Sequence, residues 1–341
     1  MRQTRFAATV RFMALSTVFL GGWIAVAPAV AQQITIKEGH ATIRSGQDHW
    51  ANTFKEYVEK RSGGRIKIDV FPGGQLGQQT ALIQGAQLGT IEIVQTATEF
   101  LTVVDPRFDI FASPGVFDDI AHAHRTLHDA EFKKAIWTIT EPKNIKLIGF
   151  ACESLADYAS VEPIRTIAEL QGKKFRVLGS KLEIEMLRRF GATGIPMQLG
   201  EALPALQQKA IDGARAGTIV FVALKFQSVA RNVLKSGESV ICVPKMASKR
   251  WLEGLPADLR TIILEEAARA EDANLAYSID LLAKTYDIWT SAGGVINEFS
   301  PAEKAEFRRR IQTVPDEVFK DSPLVKEAYE ALKAAAARAR K

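Results

Sequence analysis

The sequence predicts an α/β protein built as two units, and three observations carry that prediction. Strand-like alternation and helix-like spacing interleave in a β-α-β-α-β order before residue 151. A second set of strand and helix signals starts after Pro163. From Pro256 to Thr290 there is no glycine and no second proline, so one helix can run further than either unit is wide.

The elements follow in order. Gln33 to Lys37 alternates apolar and polar residues, as a first strand does. Trp50, Phe54, Tyr57 and Val58 recur at helical spacing, and Ser62-Gly63-Gly64 stops that helix. Ile66, Ile68 and Val70 alternate with Lys67 and Asp69, a strand that ends at the turn Pro72-Gly73-Gly74. Leu82, Ile83 and Ala86 mark a helix closed at Gly89, ahead of a strand from Ile91 to Val94. Asp118 is placed to cap a helix carrying Phe132, Ile136 and Trp137, and Ile145 to Phe150 is the next strand. Such alternation predicts a parallel sheet covered by helices.

In the second unit, Lys173 to Leu178 is a strand. Ser180-Lys181-Leu182-Glu183 is a capping box that opens a helix through Phe190, ended by Gly191. Glu201 to Lys209 reads as a helix, Ile211 as a short strand and Val233 to Val243 as extended chain. The 256–290 helix, with Pro256 at its first position, would be about 50 Å long. Its apolar positions hold no heptad, so a helix lying across both units replaces the coiled-coil reading. Gly293-Gly294 ends it, Ser300-Pro301-Ala302-Glu303 caps another helix, and Ser322-Pro323 opens a last one.

Composition bounds the function. Of 341 residues, 44 are Lys or Arg and 39 Asp or Glu, a formal charge of +5, with 47% apolar and 24% charged residues. That excludes a disordered chain, a collagen-like repeat and a disulfide-dense mini-domain. Residues 1–31 carry Arg2, Arg5 and Arg11 and no other charge; without them the chain has 310 residues and a charge of +2. Both signs are interspersed, so nothing calls for a nucleic-acid partner. The basic start, the 16-residue apolar run Phe12 to Ala27 and the small residues Ala29-Val30-Ala31 read as an export signal cleaved after Ala31. A spanning helix needs about 20 residues, and no other stretch is apolar enough, so the cleaved chain is not expected to cross a membrane. Cys152 and Cys242 could form one bond, stay free, or be small buried residues.

Chemistry is sparse. Arg176 alternates with Phe175 and Val177, so it points away from their apolar face, near the carboxyl end of its strand and just before a helix start. Ligands collect at such strand ends, and a guanidinium there matches a carboxylate with two hydrogen bonds. A surface arginine paired with a nearby acid fits the same residues. His122, His124 and His128 share a helix, the last two at i,i+4 spacing, but no Cys or carboxylate completes a metal motif. They read as a solvated face. Pro72-Gly73-Gly74-Gln75-Leu76-Gly77 lacks the Lys-Ser/Thr of a phosphate loop, and no Gly-x-Ser-x-Gly or dinucleotide fingerprint occurs. No catalytic set, metal or cofactor is expected, and the chain reads as a binder rather than an enzyme.

Together the residues resemble a family. Gly63 to Gly77 (GGRIKIDVFPGGQLG) is similar to the motif of solute-binding proteins of tripartite ATP-independent periplasmic (TRAP) transporters, the DctP-like family. Gly89-Thr90-Ile91-Glu92, Pro114-Gly115-Val116-Phe117, Leu203 to Gly213 and Trp251 to Pro256 follow in the family's order. Leu170-Gln171-Gly172-Lys173-Lys174-Phe175-Arg176-Val177 resembles the strand with its carboxylate-binding arginine. The resemblance implies a two-lobed, hinged, class II-like periplasmic binding protein with a long helix spanning both lobes. It would close on a small organic acid and deliver it to TRAP membrane permease subunits driven by an ion gradient. It implies lobe I as 32–151 plus 242–281 and lobe II as 152–241 plus 282–341, with crossovers near 151 and 242, so that Cys152 and Cys242 would both sit near the hinge, where a disulfide is one of the outcomes open to them.

Departures from the family pattern matter for the ligand. Ala156 stands where many relatives carry a second arginine, in a stretch one residue short between Phe150 and Ile164. Ala216 stands where relatives often have an amide, next to Arg215, which becomes a candidate second cation unless it is a solvated surface residue. His40, Gln47, Thr96 and Phe100 are the first-lobe candidates, because they follow strands or open helices. The pattern points to a monocarboxylate with a bulky apolar body. A periplasmic sensor presenting its closed form to a membrane receptor would use the same closure. A hydrolase or lyase would need a nucleophile and base near Arg176, and neither is identifiable.

Overall fold

A computed structural model describes residues 33–340, so the export signal read over 1–31 lies outside the described residues. The chain runs β1 (Ile34–His40), α1 (Gly46–Arg61), β2 (Ile66–Phe71), α2 (Gln79–Leu88), β3 (Ile93–Gln95), α3 (Ile120–Leu127), α4 (Ala130–Ile136), β4 (Ile145–Leu155) and β5 (Asp157–Ser160). It continues through β6 (Lys174–Val177), α5 (Lys181–Arg188), β7 (Thr193–Pro196), α6 (Leu199–Gln207), β8 (Gly213–Ala216), α7 (Thr218–Ala223), β9 (Asn232–Leu234) and β10 (Val240–Ser248). The last elements are α8 (Lys249–Gly254), α9 (Ala257–Ser291), β11 (Val295–Asn297), α10 (Pro301–Ile311), α11 (Val314–Phe319) and α12 (Pro323–Ala339).

Two sheets organise two lobes. The first has the order β2-β1-β3-β10-β4, the second β11-β9-β5-β8-β6-β7. β1 is parallel to β2 and β3, whereas β10 enters antiparallel to both β3 and β4. In the second sheet β6 is parallel to β7 and β8, and β5 is the antiparallel member between β8 and β9. The sheets are therefore mixed. The antiparallel strands are those by which the chain leaves and re-enters each lobe.

The crossovers differ from expectation. β4 runs on to Leu155, and the chain passes to the second sheet at Ala156 instead of near 151. It returns across 235–239, before β10 begins, instead of near 242. The reason is pairing: β4 and β10 stay paired from Ile145↔Ser248 to Leu155↔Val240, through register shifts at Ile241/Cys242 and Lys245/Met246, and every residue of β10 is buried. A strand covered on both faces shows no alternation, so its end is invisible to a period-two reading.

Helix starts follow the capping residues, with shifts. The helix expected from Asp118 through Trp137 is two helices, because Asp119 caps α3 through the N–H of His122 and Asp129 caps α4 through that of Phe132. Pro256 precedes α9 as its cap residue and Ala257 opens it. α9 has 35 residues and spans both lobes. Its first half packs Leu259, Ile262, Ile263 and Ala267 against Trp50, Phe54 and Val58, and its end packs Trp289 against Phe221 in the second lobe. The C-terminal helix α12 does not belong with the second lobe as 282–341 implied. It packs on α3 and α4, and the Ala336 carbonyl meets Nε2 of His122 at 2.8 Å. His122 is thereby buried, against the reading of a solvated histidine face.

Cys152 and Cys242 occupy facing positions of β4 and β10 and are disulfide-bonded, which closes a loop of 90 residues containing the second-sheet strands β5 to β9 but not β11. Unreduced protein, denatured in the presence of an alkylating reagent, should take up no label by intact mass. Reduction should expose two thiols and lower the unfolding free energy by about 4 kcal/mol, read from urea transitions.

Candidate functional site

A cavity lies between the lobes, at the carboxyl ends of β3, β6 and β8. It encloses about 60 Å³, room for roughly four waters or a small organic molecule. Gln47, Thr96 and Phe100 face it from the first lobe, Arg176, Leu199 and Ile219 from the second, and Glu153, Ser154 and Ile241 from the crossover strands. Glycine makes the close approach possible at one wall: a Cβ at Gly217 would stand 2.4 Å from Oγ of Ser154.

Arg176 dominates the site. It sits at the end of β6, is 1% exposed, and its Nε and Nη1 donate to the carbonyls of Met197 and Arg215, each at 2.9 Å. Among the described residues no carboxylate lies within ion-pair distance of it, and Nη2 meets no protein acceptor. Burial pulls its pKa down to about 10, against the pull of Glu183 and Glu99 upward, so it stays protonated at neutral pH. The ring of Phe100 lies 5.9 Å from the guanidinium carbon. A buried cation held only by carbonyls is an incomplete pair.

Arg215 is the opposite case. It is fully buried, and its side chain points behind the cavity wall. There Nη1 pairs with Glu183, Nε with Glu238 at 2.9 Å and Nη2 with Oγ of Ser239 at 2.6 Å, while Glu99 stands 3.7 Å away. Burial alone would lower its pKa, but these carboxylates push it well above the ordinary range. Arg215 is therefore neither a solvated surface residue nor a cation facing the cavity; its charge is consumed by its own lobe. The same network leaves Glu99 pushed up to about 7, by burial first and by Glu183 second.

The other sequence candidates divide. Gln47, Thr96, Phe100 and Ala216 line the cavity. Ala156 does not: it is buried in the crossover, and its carbonyl accepts from Ser236 Oγ and the N–H of Gly237. His40 also lies outside the lining. Its Nδ1 meets Glu38 at 2.9 Å and its Nε2 faces Asp48 at 3.6 Å, longer than a hydrogen bond. Burial lowers its pKa, but Glu38 and Asp48 outweigh that and raise it to about 9. Sequence reasoning missed Glu153, which lies on the fully buried β4, pairs with Lys245 of β10 and accepts from Nδ2 of Asn274 on α9. It also missed Ser154, Leu199 and Ile219, whose only signal is their place at strand ends and helix starts. Oε1 of Gln47 and Oγ1 of Thr96 are buried in this wall without a hydrogen-bond partner, which marks them as polar groups aimed at the cavity.

The two buried arginines should separate in stability measurements. Arg215→Met should cost about 3–5 kcal/mol, because it strands Glu183 and Glu238 without a counter-charge. Arg176→Met should cost no more than about 2 kcal/mol, since it strands only two carbonyls. His40 supplies a pH signature. A pKa raised from 6.5 unfolded to about 9 folded gives stabilisation that is full below pH 6.5 and lost as pH rises through 9, about 3 kcal/mol in all. In His40→Asn that slope between pH 6.5 and 9 should be absent from urea unfolding curves.

Comparison with known proteins gives three findings. The family model for bacterial extracellular solute-binding protein, family 7 (DctP), matches residues 41–322. The chain is 26% identical over 255 residues to the 2,3-diketo-L-gulonate-binding periplasmic protein of Escherichia coli strain K12, covering 74% of this chain and 77% of that one. It is 27% identical over 297 residues to the C4-dicarboxylate-binding periplasmic protein DctP of Rhodobacter capsulatus, covering 85% and 88%. Among solved structures, a sugar acid binding protein from Advenella mimigardefordensis in complex with galactonate superposes with a TM-score of 0.86 at 24% identity, covering 90% of this chain and 99% of that one. A TRAP periplasmic solute-binding protein from Desulfovibrio salexigens with bound orotic acid superposes with a TM-score of 0.84 at 23% identity, covering 90% and 100%. These superpositions establish the two-lobed fold. No helix among the described residues is long and apolar enough to cross a membrane.

Proposed function

The chain belongs to bacterial extracellular solute-binding protein family 7, and from that premise we propose that it captures one small organic acid between its lobes and hands it to a TRAP membrane permease. On this reading residues 1–31 export it to the periplasm and are removed after Ala31. The observation that carries the reading is the buried Arg176, protonated and without a carboxylate partner among the described residues. A ligand carboxylate completes that pair through the free Nη2 and the second hydrogen of Nη1, the two-pronged geometry a guanidinium favours.

The ligand class follows from what surrounds that arginine. Among the described residues only Arg176 faces the cavity as a cation, because Arg215 is spent on Glu183 and Glu238. A second carboxylate would instead approach Glu153, whose charge is already matched by Lys245. Phe100, Leu178, Leu199, Ile219, Val220 and Ile241 give most of the wall an apolar surface. We therefore assign a monocarboxylate with an apolar body and one hydroxyl, the hydroxyl donating to Oε1 of Gln47 or meeting Oγ1 of Thr96. The same family includes a relative named for C4-dicarboxylates and another for 2,3-diketo-L-gulonate, so the carboxylate is the shared feature and the remainder of the ligand the variable one.

Capture works by closure. Lobe I is proposed as the first-sheet unit and lobe II as the second-sheet unit, with Ala156 and 235–239 as the hinge. Across the mouth, Oε1 of Gln78 accepts the N–H of Gly200 at 3.1 Å and Nε2 of Gln198 donates to Oγ1 of Thr80 at 2.9 Å. Closure excludes water from the Arg176 pair and strengthens it, while desolvation offsets much of that gain. The pair then sets orientation, and the apolar wall supplies affinity.

The test is a thermal-shift screen of the cleaved chain and Arg176→Met against mono- and dicarboxylic acids. A bound acid at 100 times its dissociation constant should stabilise the parent protein by about 2.7 kcal/mol. Monocarboxylates with apolar bodies should lead the ranking and dicarboxylates trail it, and the variant should lose the effect. Equal stabilisation of both proteins removes Arg176 from the site, and a dicarboxylate preference overturns the ligand class.

A further inference from the structure

A second cluster of chemistry lies where α3, α9 and the edge strand β4 converge. His124 lies in α3 and His128 is its C-terminal cap residue, so i,i+4 spacing brings their rings together, with centroids 4.3 Å apart. Glu271 of α9 reaches in between them, with a side chain only 2% exposed. Its Oε2 is fixed by the N–H of Phe150 at 2.9 Å. Its Oε1 has no hydrogen-bond partner among the described residues, and neither has Nδ1 of His124. These two atoms are 3.8 Å apart, and Nε2 of His128 lies 3.3 Å from the same oxygen.

The tautomers are dictated by the surroundings. Nδ1 of His128 is 2.8 Å from the His124 carbonyl, which can only accept, so the proton is on Nδ1 and the Nε2 lone pair faces Glu271. Nε2 of His124 faces Oδ1 of Asp272 at 4.0 Å, which leaves Nδ1 to offer its lone pair to the same oxygen. Two imidazole lone pairs and a buried carboxylate thus converge on one point. A single proton can serve one of those pairs; a divalent cation serves all three. Ligands about 2.0–2.1 Å from a tetrahedral Zn²⁺ are about 3.4 Å from one another; the two histidine-to-carboxylate separations are close to that, and the three ligand atoms all lie within 4.8 Å of one another. The opposing cations are engaged elsewhere: Lys245 with Glu153, and Arg125 with the carbonyl of Ala339.

We propose that His124, His128 and Glu271 form a binding site for a divalent transition-metal ion of the Zn²⁺ type. A water on the open side by His128 supplies the fourth ligand. Two histidines and one carboxylate match that borderline ion, and the His124 carbonyl orients the His128 ring through Nδ1. Bound there, the ion ties α3 and the long helix to the outer edge of the first sheet, away from the organic-acid cavity.

The test uses untagged, chelator-stripped cleaved protein titrated with Zn²⁺ by calorimetry and with Co²⁺ by visible absorption. One equivalent of Zn²⁺ should bind at micromolar affinity or tighter and raise the melting temperature. Co²⁺ should give the intense d–d bands of a four- or five-coordinate site, bleached by Zn²⁺. His124→Ala, His128→Gln and Glu271→Gln should each weaken binding at least roughly tenfold, whereas His49→Gln, a histidine outside the cluster, should leave it unchanged. No saturable binding by the parent protein, a weak octahedral Co²⁺ spectrum, or unchanged affinity in His124→Ala and His128→Gln overturns the proposal.

Discussion

The structure depends on keeping one buried positive charge free of the protein's own acids. Glu183 and Glu99 stand close enough to pull on Arg176, and an ordinary core would collapse them onto it. Arg215 prevents this. Placed one strand over on β8, it takes up Glu183 and Glu238, stands near Glu99, and offers only its main-chain carbonyl to Arg176. Glu183 is held from a second direction, because its Oε2 accepts the N–H groups of Leu178 and Gly179 at the β6–α5 turn. The acids are locked by Arg215 and by the backbone, so the guanidinium at the strand end is available for an anion from outside. What resembled a spare second ligand cation is the device that keeps the first one vacant.

That electrostatic arrangement sits within a frame suited to movement. β4 and β10 are the two strands that carry the chain between lobes, and the disulfide joins them one turn before each leaves the first sheet. Pairing holds up to Leu155 and Val240, after which the connections are short and irregular. On the proposed hinge at Ala156 and 235–239, the bond would set where bending stops on the first-lobe side. α9 runs past the same level, and Asn274 on it holds Glu153 in the cavity wall. A shift of the helix relative to β4 is transmitted to the cavity through a side-chain amide and an ion pair.

The fold class was legible because the helices and the outer strands are amphipathic, and amphipathy is what periodicity detects. Ile66 and Ile68 are buried and alternate with Lys67 and Asp69 because one face of β2 meets solvent. β4, β5 and β10 are buried on both faces, so their ends and the crossovers were misplaced. At the site, Arg176 was legible as a charge interrupting an apolar strand at its carboxyl end. The fate of Arg215 was not, since a charge in an equally apolar strand reads the same whether its partner is a ligand or a glutamate 32 positions away in the chain. Glu153 was hidden for the reason β4 was. Glu271 was hidden inside a long helix rich in acids, where nothing local distinguishes a buried glutamate from the exposed ones beside it.

Specificity in this frame comes from subtraction. A cavity with two facing cations selects a diacid, because the second carboxylate is compensated where it is desolvated. Here alanine stands at 216 in the cavity wall, and Arg215 is matched internally, so a second carboxylate entering the cavity would bring a desolvation cost of several kcal/mol with no cation to offset it among the described residues. An apolar group at the same place meets Leu199, Ile219 and Val220 and gains about 25 cal/mol for each Å² removed from water. On the proposed function, the rejection of diacids and the acceptance of apolar bodies would be one property of the same wall, produced by moving a positive charge behind it.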